Sequence, residues 1–204
     1  MNKDWSGDAR SIFTCNGARN FATEQREEND YYATDPKAVE ELLKVEQFCN
    51  HIWEPACGGG HISTVLISEG FAVKSTDIKD RGYKFQGGVE NFLLSPLKEQ
   101  KCDIITNPPY KYAREFVEKA LDVVAEGQKV AMFLKLTFLE GVSRGQLLDN
   151  TPPKYLYPAR KRLICAKNGE FEKITSGAVA YGWFIWEKGY KGPTMIKDYI
   201  NKGD

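Results

Sequence analysis

The chain has no surplus charge: its 204 residues carry 28 Lys and Arg against 28 Asp and Glu, a formal net charge of +0. A balanced chain has no global basic field, so bulk charge alone announces no polyanionic partner. Its five cysteines, Cys15, Cys49, Cys57, Cys102 and Cys165, form no C-x-x-C pair, and there are two histidines. That scarcity argues against a disulfide framework and a zinc site, and it reads as reduced thiols in a cytosol. No apolar run approaches the roughly 18 residues that a membrane helix needs, and no signal peptide opens the chain. The expectation is a cytoplasmic protein with no metal, neither exported nor membrane-spanning. Internal repeats and low-complexity segments are also lacking. One domain with a sizeable core remains.

Residues 1–30 are rich in Asn, Gly, Asp, Glu and Arg, and read as a polar, loosely ordered arm. Residues 31–204 read as a single α/β domain. A helix is predicted from Asp35-Pro36 through Val39, Leu42 and Leu43, with Pro in its first turn. Strands are predicted near 51–54, 72–76, 102–106 and 129–136, with helices near 61–69 and 112–126. Phe116, Val117, Ala120, Leu121 and Val124 mark one buried face of the second of these helices. Leu163–Cys165 and Ala178–Trp186 read as two further strands joined by a polar loop, with Trp183 and Trp186 in the core. Together these give a Rossmann-like, doubly wound, mostly parallel sheet with a C-terminal antiparallel hairpin at one edge.

Two stretches carry chemistry. The first, Ile52-Trp53-Glu54-Pro55-Ala56-Cys57-Gly58-Gly59-Gly60-His61, runs from an apolar strand through three glycines into helical spacing. Strand, glycine turn and helix bring backbone close to a ligand. The pattern is not G-x-G-x-x-G and no Lys-Ser/Thr follows, so phosphates are not its obvious guest. The next strand ends in Asp77, roughly 20 residues past the glycines, where dinucleotide folds place the acid that holds ribose hydroxyls.

In the second, Asp103-Ile-Ile-Thr106 runs directly into Asn107-Pro108-Pro109-Tyr110. The prolines lack N–H donors and fix φ, which makes the turn stiff and extended. The Asn107 side-chain oxygen and the Pro108 carbonyl are two acceptors, and Tyr110 adds a flat face with a polar tip. Such a corner suits a planar –NH2 on a stackable π system, although Pro-Pro after a strand is as often an ordinary loop. The glycine turn, the strand-end acid and Asn-Pro-Pro-Tyr in this order say more than any one of them.

On these residues the chain resembles the amino-directed, S-adenosylmethionine-dependent methyltransferases, in particular the N6-adenine DNA methyltransferases of phages and prophages. The resemblance runs from about Asn29 to Gly189. It includes a Tyr-x-Thr-Pro-like stretch, Tyr31-Tyr32-Ala33-Thr34-Asp35-Pro36, with Asp35 placed as in the prophage group. It implies a class I methyltransferase fold without a separate target-recognition domain. It further implies S-adenosyl-L-methionine as cofactor, S-adenosyl-L-homocysteine as product, and methylation of the adenine N6 amine in DNA. Asn107, Pro108, Pro109 and Tyr110 are the implied catalytic set, with Tyr110 stacking on the base. Implied cofactor contacts are Tyr31, Thr34, Glu54, Pro55, Ala56, Cys57, Gly58, Gly60, Asp77, Ile78, Asn91, Phe92 and Asn107. In the family the glycine turn takes the methionine part and the strand-end acid the ribose. Asn91-Phe92 departs from the Asp-Phe of many relatives, and Asn still bonds an adenine amine.

Other residues have two readings. Thr34 is a helix cap, a cofactor contact, or both. His61 covers the helix start and Cys57 is a small buried residue. Arg160, Lys161 and Arg162 form either a solvated strand entrance or a phosphate-contacting edge, with Arg144 a weaker candidate for the same duty. The same fold and cofactor would also serve RNA adenine or a protein glutamine amide, and a non-catalytic cofactor-binding protein is a further alternative. Only about 40 residues separate Thr137 from Ala178. That is little chain for a recognition domain, so the expectation is low or short sequence specificity.

Overall fold

A computed structural model describes residues 31–96, 98–167, 169, 171, 179–197 and 199–201. The polar arm expected over residues 1–30 lies outside the described residues. In chain order the elements are β1 (Tyr32–Thr34), α1 (Pro36–Leu43), β2 (His51–Glu54), α2 (His61–Ser68), β3 (Ala72–Asp77) and β4 (Gly88–Val89). There follow β5 (Asp103–Thr106), α3 (Ala113–Val123), β6 (Lys129–Lys135), α4 (Val142–Asn150), β7 (Tyr155–Pro158), β8 (Cys165–Lys167), β9 (Tyr181–Glu187) and β10 (Met195–Ile196). Short 3-10 turns span Phe92–Leu94, Tyr110–Tyr112 and Leu136–Leu139.

Eight strands form one sheet in the order β10-β7-β9-β6-β5-β2-β3-β4. From β4 to β6 every neighbouring pair is parallel. β9 then runs antiparallel between β6 and β7. The chain builds outward from β2 to β3 and β4, then returns to lay β5 on the other side of β2. Strand order therefore reverses between β2 and β5, and the carboxyl ends of strands at such a point leave a crevice.

Period-two alternation sorts the core onto the two faces. Ile104, Val130, Met132, Leu134, Phe184 and Trp186 pack with Phe116, Val117, Ala120 and Val123 of α3. Ile105, Ala131, Phe133, Trp183 and Ile185 pack with residues of α1 and α2 on the other side. Trp183 and Trp186, three residues apart, thus serve opposite faces. Each buried indole keeps a partner: Trp183 Nε1 donates to the Ala38 carbonyl (2.8 Å) and Trp186 Nε1 to the Thr151 carbonyl (2.9 Å).

The strand pairings correct part of the sequence reading. The antiparallel element is β9 with β7, whereas the stretch reaching Cys165 leaves the sheet and pairs with β1, from Tyr32↔Lys167 to Thr34↔Cys165. A three-residue strand has no period to detect, and its partner lies far along the chain. α1 is capped by Asp35, whose side chain accepts the Lys37 N–H at 3.0 Å, so Thr34 is not the cap. The stretch after β6 holds a 3-10 turn and the start of α4.

β5 is anchored through Asp103, 2% exposed. Its carboxylate accepts the amides of Cys49 and Lys129, each at 2.7 Å, and so ties the approach to β2 and the start of β6 to β5. Asp103→Ala leaves two part-buried donors without their acceptor and is expected to cost about 1–3 kcal/mol in urea unfolding. A loss below about 0.5 kcal/mol would contradict that anchoring.

Candidate functional site

The crevice at the switch point is a cleft of about 370 Å³. Glu54 to Cys57 line it from the end of β2, Asp77, Ile78 and Arg81 from the end of β3, and Asn107 to Tyr110 from the end of β5. Glu90 to Leu94 close one side and Tyr31 to Thr34 another. The cleft therefore gathers Asn107, Pro108, Pro109 and Tyr110 with Tyr31, Thr34, Glu54, Pro55, Ala56, Cys57, Asp77, Ile78, Asn91 and Phe92. Gly58 and Gly60 are not among the lining residues.

Both positions require glycine for a reason internal to the fold. Gly58 (φ +54°) and Gly60 (φ +81°) are left-handed, and a Cβ on them would overlap the rings of Tyr31 and Tyr83 respectively. The turn's amides are already engaged. Gly58 N–H donates to Asp77 Oδ2 (2.8 Å) and Gly59 N–H to Tyr31 Oη (3.0 Å). An anion cradle is thereby closed from within.

Glu54 is 1% exposed. Ser63 Oγ donates to its Oε2, and the Ser63 and Ser75 hydroxyls lie 2.6 Å apart. Burial pushes the Glu54 carboxyl up to about 8; the Ser63 bonds oppose the rise and the Asp77 charge adds to it. Burial likewise lifts the Cys57 thiol to about 12, which leaves it neutral and inert as a nucleophile. His61 lines the cleft edge-on to Phe171 (5.5 Å between centroids), and burial lowers its pKa. Among the described residues no cluster of three or more His, Cys, Asp or Glu is placed to hold a metal.

Asn107 is tied down by its own amide. Nδ2 donates to the Tyr32 carbonyl (3.0 Å) and to Thr34 Oγ1 (2.9 Å). A carbonyl can only accept, so this contact fixes which end of the side chain is nitrogen. Oδ1 is left buried without a hydrogen-bond partner. Such a group costs roughly 1–3 kcal/mol, and its persistence calls for a reason.

Tyr110 is as firmly held. Its ring stacks on Tyr32 (5.3 Å, 30°), its hydroxyl lies 2.9 Å from that of Tyr181, and Lys135 Nζ sits 4.3 Å from the ring centroid. Burial raises its pKa well above the ordinary value. Tyr112, also lining the cleft, is 42% exposed.

The basic residues singled out in the sequence lie elsewhere. Arg144 folds back on its own turn, donating to the carbonyls of Phe138 (2.9 Å), Thr137 (3.1 Å) and Glu140. Arg160 lies over the Tyr199 ring at 5.0 Å, and Lys161 and Arg162 are exposed. None of the four lines the cleft. Sequence reasoning passed over Arg81 and Tyr112. Their positions depend on tertiary packing, and no local pattern flags them.

No family model matches the chain, and no curated protein matches it. Solved structures do share its fold. One is a candidate class I S-adenosylmethionine-dependent methyltransferase from Listeria monocytogenes, 14% identical, covering 93% of this chain and 71% of that one, TM-score 0.58. Another is the methyltransferase subunit of a type I restriction-modification system from Streptococcus thermophilus, 13% identical, TM-score 0.59. That match covers 87% of this chain and 49% of the other, so the chain spans about half its length. A candidate RNA methyltransferase from Pyrococcus horikoshii is 14% identical and covers 88% and 98%, with a TM-score of 0.51. The fold is that of the class I methyltransferases.

The buried carboxyl gives a pH signature. The folded-state pKa of Glu54, about 8, lies above the unfolded value of about 4.3, so the folded chain keeps a proton that the unfolded chain releases in between. Its stabilising contribution is complete below about pH 4.3 and is lost as pH rises through 8. Glu54→Gln is expected to gain on the wild type by about 1 kcal/mol per pH unit from pH 5 to 8 in chemical denaturation. A gap that stays constant over that range would contradict the assignment.

Proposed function

We propose that the chain transfers a methyl group from S-adenosylmethionine to the exocyclic N6 amine of adenine, with DNA as the principal substrate. The observation that carries this reading is the buried, unbonded Oδ1 of Asn107, a residue that lines the same cleft as Glu54 and Asp77. The residues present fit the cofactor. Glu54 suits its ammonium, Asp77 its ribose hydroxyls, and Asn91 with Phe92 its adenine, in a cleft of drug-sized volume. When bound, the cofactor supplies an electrophilic methyl group and its own leaving group.

The chain's part is positioning. An aromatic amine is a weak nucleophile because its lone pair is delocalised into the ring. Asn107 Oδ1 and the Pro108 carbonyl accept its two N–H groups, which draws the nitrogen toward tetrahedral geometry and aims the lone pair. Tyr32 and Thr34 keep the Asn107 amide from rotating. Neutral acceptors suit an uncharged amine. A base in duplex must first leave its stack, at a cost of a few kcal/mol. Tyr110, fixed by Tyr32 and Tyr181, is the rigid wall against which the base rests, and the exposed Tyr112 ring stands at the mouth.

DNA is taken ahead of RNA or a protein amide on the resemblance of Asn107-Pro108-Pro109-Tyr110 to the N6-adenine DNA methyltransferases, since the neighbours of the same fold include both a restriction-modification methyltransferase subunit and a candidate RNA methyltransferase. Between β6 and β9 the described chain is largely α4, β7 and β8, with β7 part of the main sheet and β8 paired to β1. The enzyme accordingly reads a short site or none. Labelled methyl transfer to unmethylated DNA, to RNA and to protein tests the substrate. Label confined to protein would overturn the adenine reading, and sequencing that shows one long recognition site would overturn the short-site reading. Asn107→Ala is expected to lower kcat by about 10²–10³ while the cofactor Kd changes less than about threefold. Full turnover in that variant would remove Asn107 from the chemistry.

A further inference from the structure

Arg81 is the one Lys or Arg among the described residues lining the cleft. Its guanidinium lies 4.1 Å from the centroid of the Tyr31 ring. Tyr31 is itself pinned, with its hydroxyl accepting the Gly59 N–H at 3.0 Å. Arg81 Nε is buried and has no hydrogen-bond partner. Asp77 Oδ1 stands 3.9 Å away, outside hydrogen-bond range. The Asp77 carboxylate is instead occupied by the amides of Gly58 (2.8 Å) and Lys79 (3.0 Å).

Stacking on a ring orients a guanidinium without using its N–H groups, which point outward in its own plane. That fork matches a carboxylate or a phosphate. The surroundings decide between them. Glu54, Asp77 and Glu90 line the same cleft, where a dianionic phosphate would meet three acids, and the glycine-turn amides are already taken. A zwitterion meets both demands, with its ammonium toward the acids and its carboxylate toward the guanidinium. The Tyr31 hydroxyl and the Cys57 thiol each feel the charges of Glu54, Asp77 and Arg81, so the two halves share one electrostatic neighbourhood.

We infer that Arg81, oriented by Tyr31, binds the α-carboxylate at the amino-acid end of the cofactor, opposite Glu54 at the α-ammonium. The inference rests on the reading of the cleft as an S-adenosylmethionine site. Calorimetry on the full chain with S-adenosylmethionine and with decarboxylated S-adenosylmethionine tests it. Wild type binds the decarboxylated compound at least about tenfold more weakly, the loss expected for a charge-assisted hydrogen bond. Arg81→Ala weakens S-adenosylmethionine by about tenfold or more and leaves the decarboxylated compound within about twofold. Arg81→Lys, which keeps the charge but not the fork, falls between and carries the test if the alanine variant does not fold. Equal weakening of both ligands would reduce Arg81 to a prop for Tyr31 and overturn the inference. So would a wild type that does not distinguish them. A wild type that binds neither compound would remove the cofactor reading itself, and this inference with it.

Discussion

The two hydrogen bonds from the Asn107 amide nitrogen to β1 are what the site depends on. Asn107 follows directly on β5 at the centre of the sheet, while β1 lies outside the sheet and is paired to β8. The amide bridges them, reaching the Tyr32 carbonyl and the Thr34 hydroxyl. Because those partners take both N–H groups, the remaining oxygen is held in one orientation without a protein partner. In the proposed reaction a preformed acceptor would need no rearrangement when charge develops on its ligand, and its catalytic value would come from that.

The same contacts explain why the N-terminal stretch is part of the site and not a mere approach to it. Tyr31 closes the glycine turn through Gly59 and supports Arg81, Tyr32 stacks on Tyr110, and Thr34 holds Asn107. Three successive functions come from four residues because a strand turns alternate side chains to opposite sides. The cleft is otherwise acidic, with Glu54 buried so thoroughly that its carboxyl retains a proton near neutrality. Such a group is poised to ionise when a cation arrives.

The central strands were legible in the sequence because each is a short apolar run bounded by turn signals, and α3 because its apolar residues recur on one face. The motif residues at the strand ends were legible too, since chain continuity places them at the crevice once the strands are parallel. The pairing of β1 with β8 was not, and neither was Tyr155–Pro158 as the partner of β9. Both join segments distant in sequence through strands too short to show a period. The sequence motif singles out Gly58 and Gly60, but not the rings of Tyr31 and Tyr83 that leave no room for a Cβ there. Arg81 escaped notice because its position is set by a ring far away in sequence.

A crystal structure of the chain with S-adenosylhomocysteine and a short adenine-containing oligonucleotide tests the held oxygen most directly. The account predicts the adenine N6 at about 3 Å from both Asn107 Oδ1 and the Pro108 carbonyl, with Nδ2 still bonded to Tyr32 and Thr34. An Asn107 amide turned away from β1, or an amine seated elsewhere in the cleft, would contradict it.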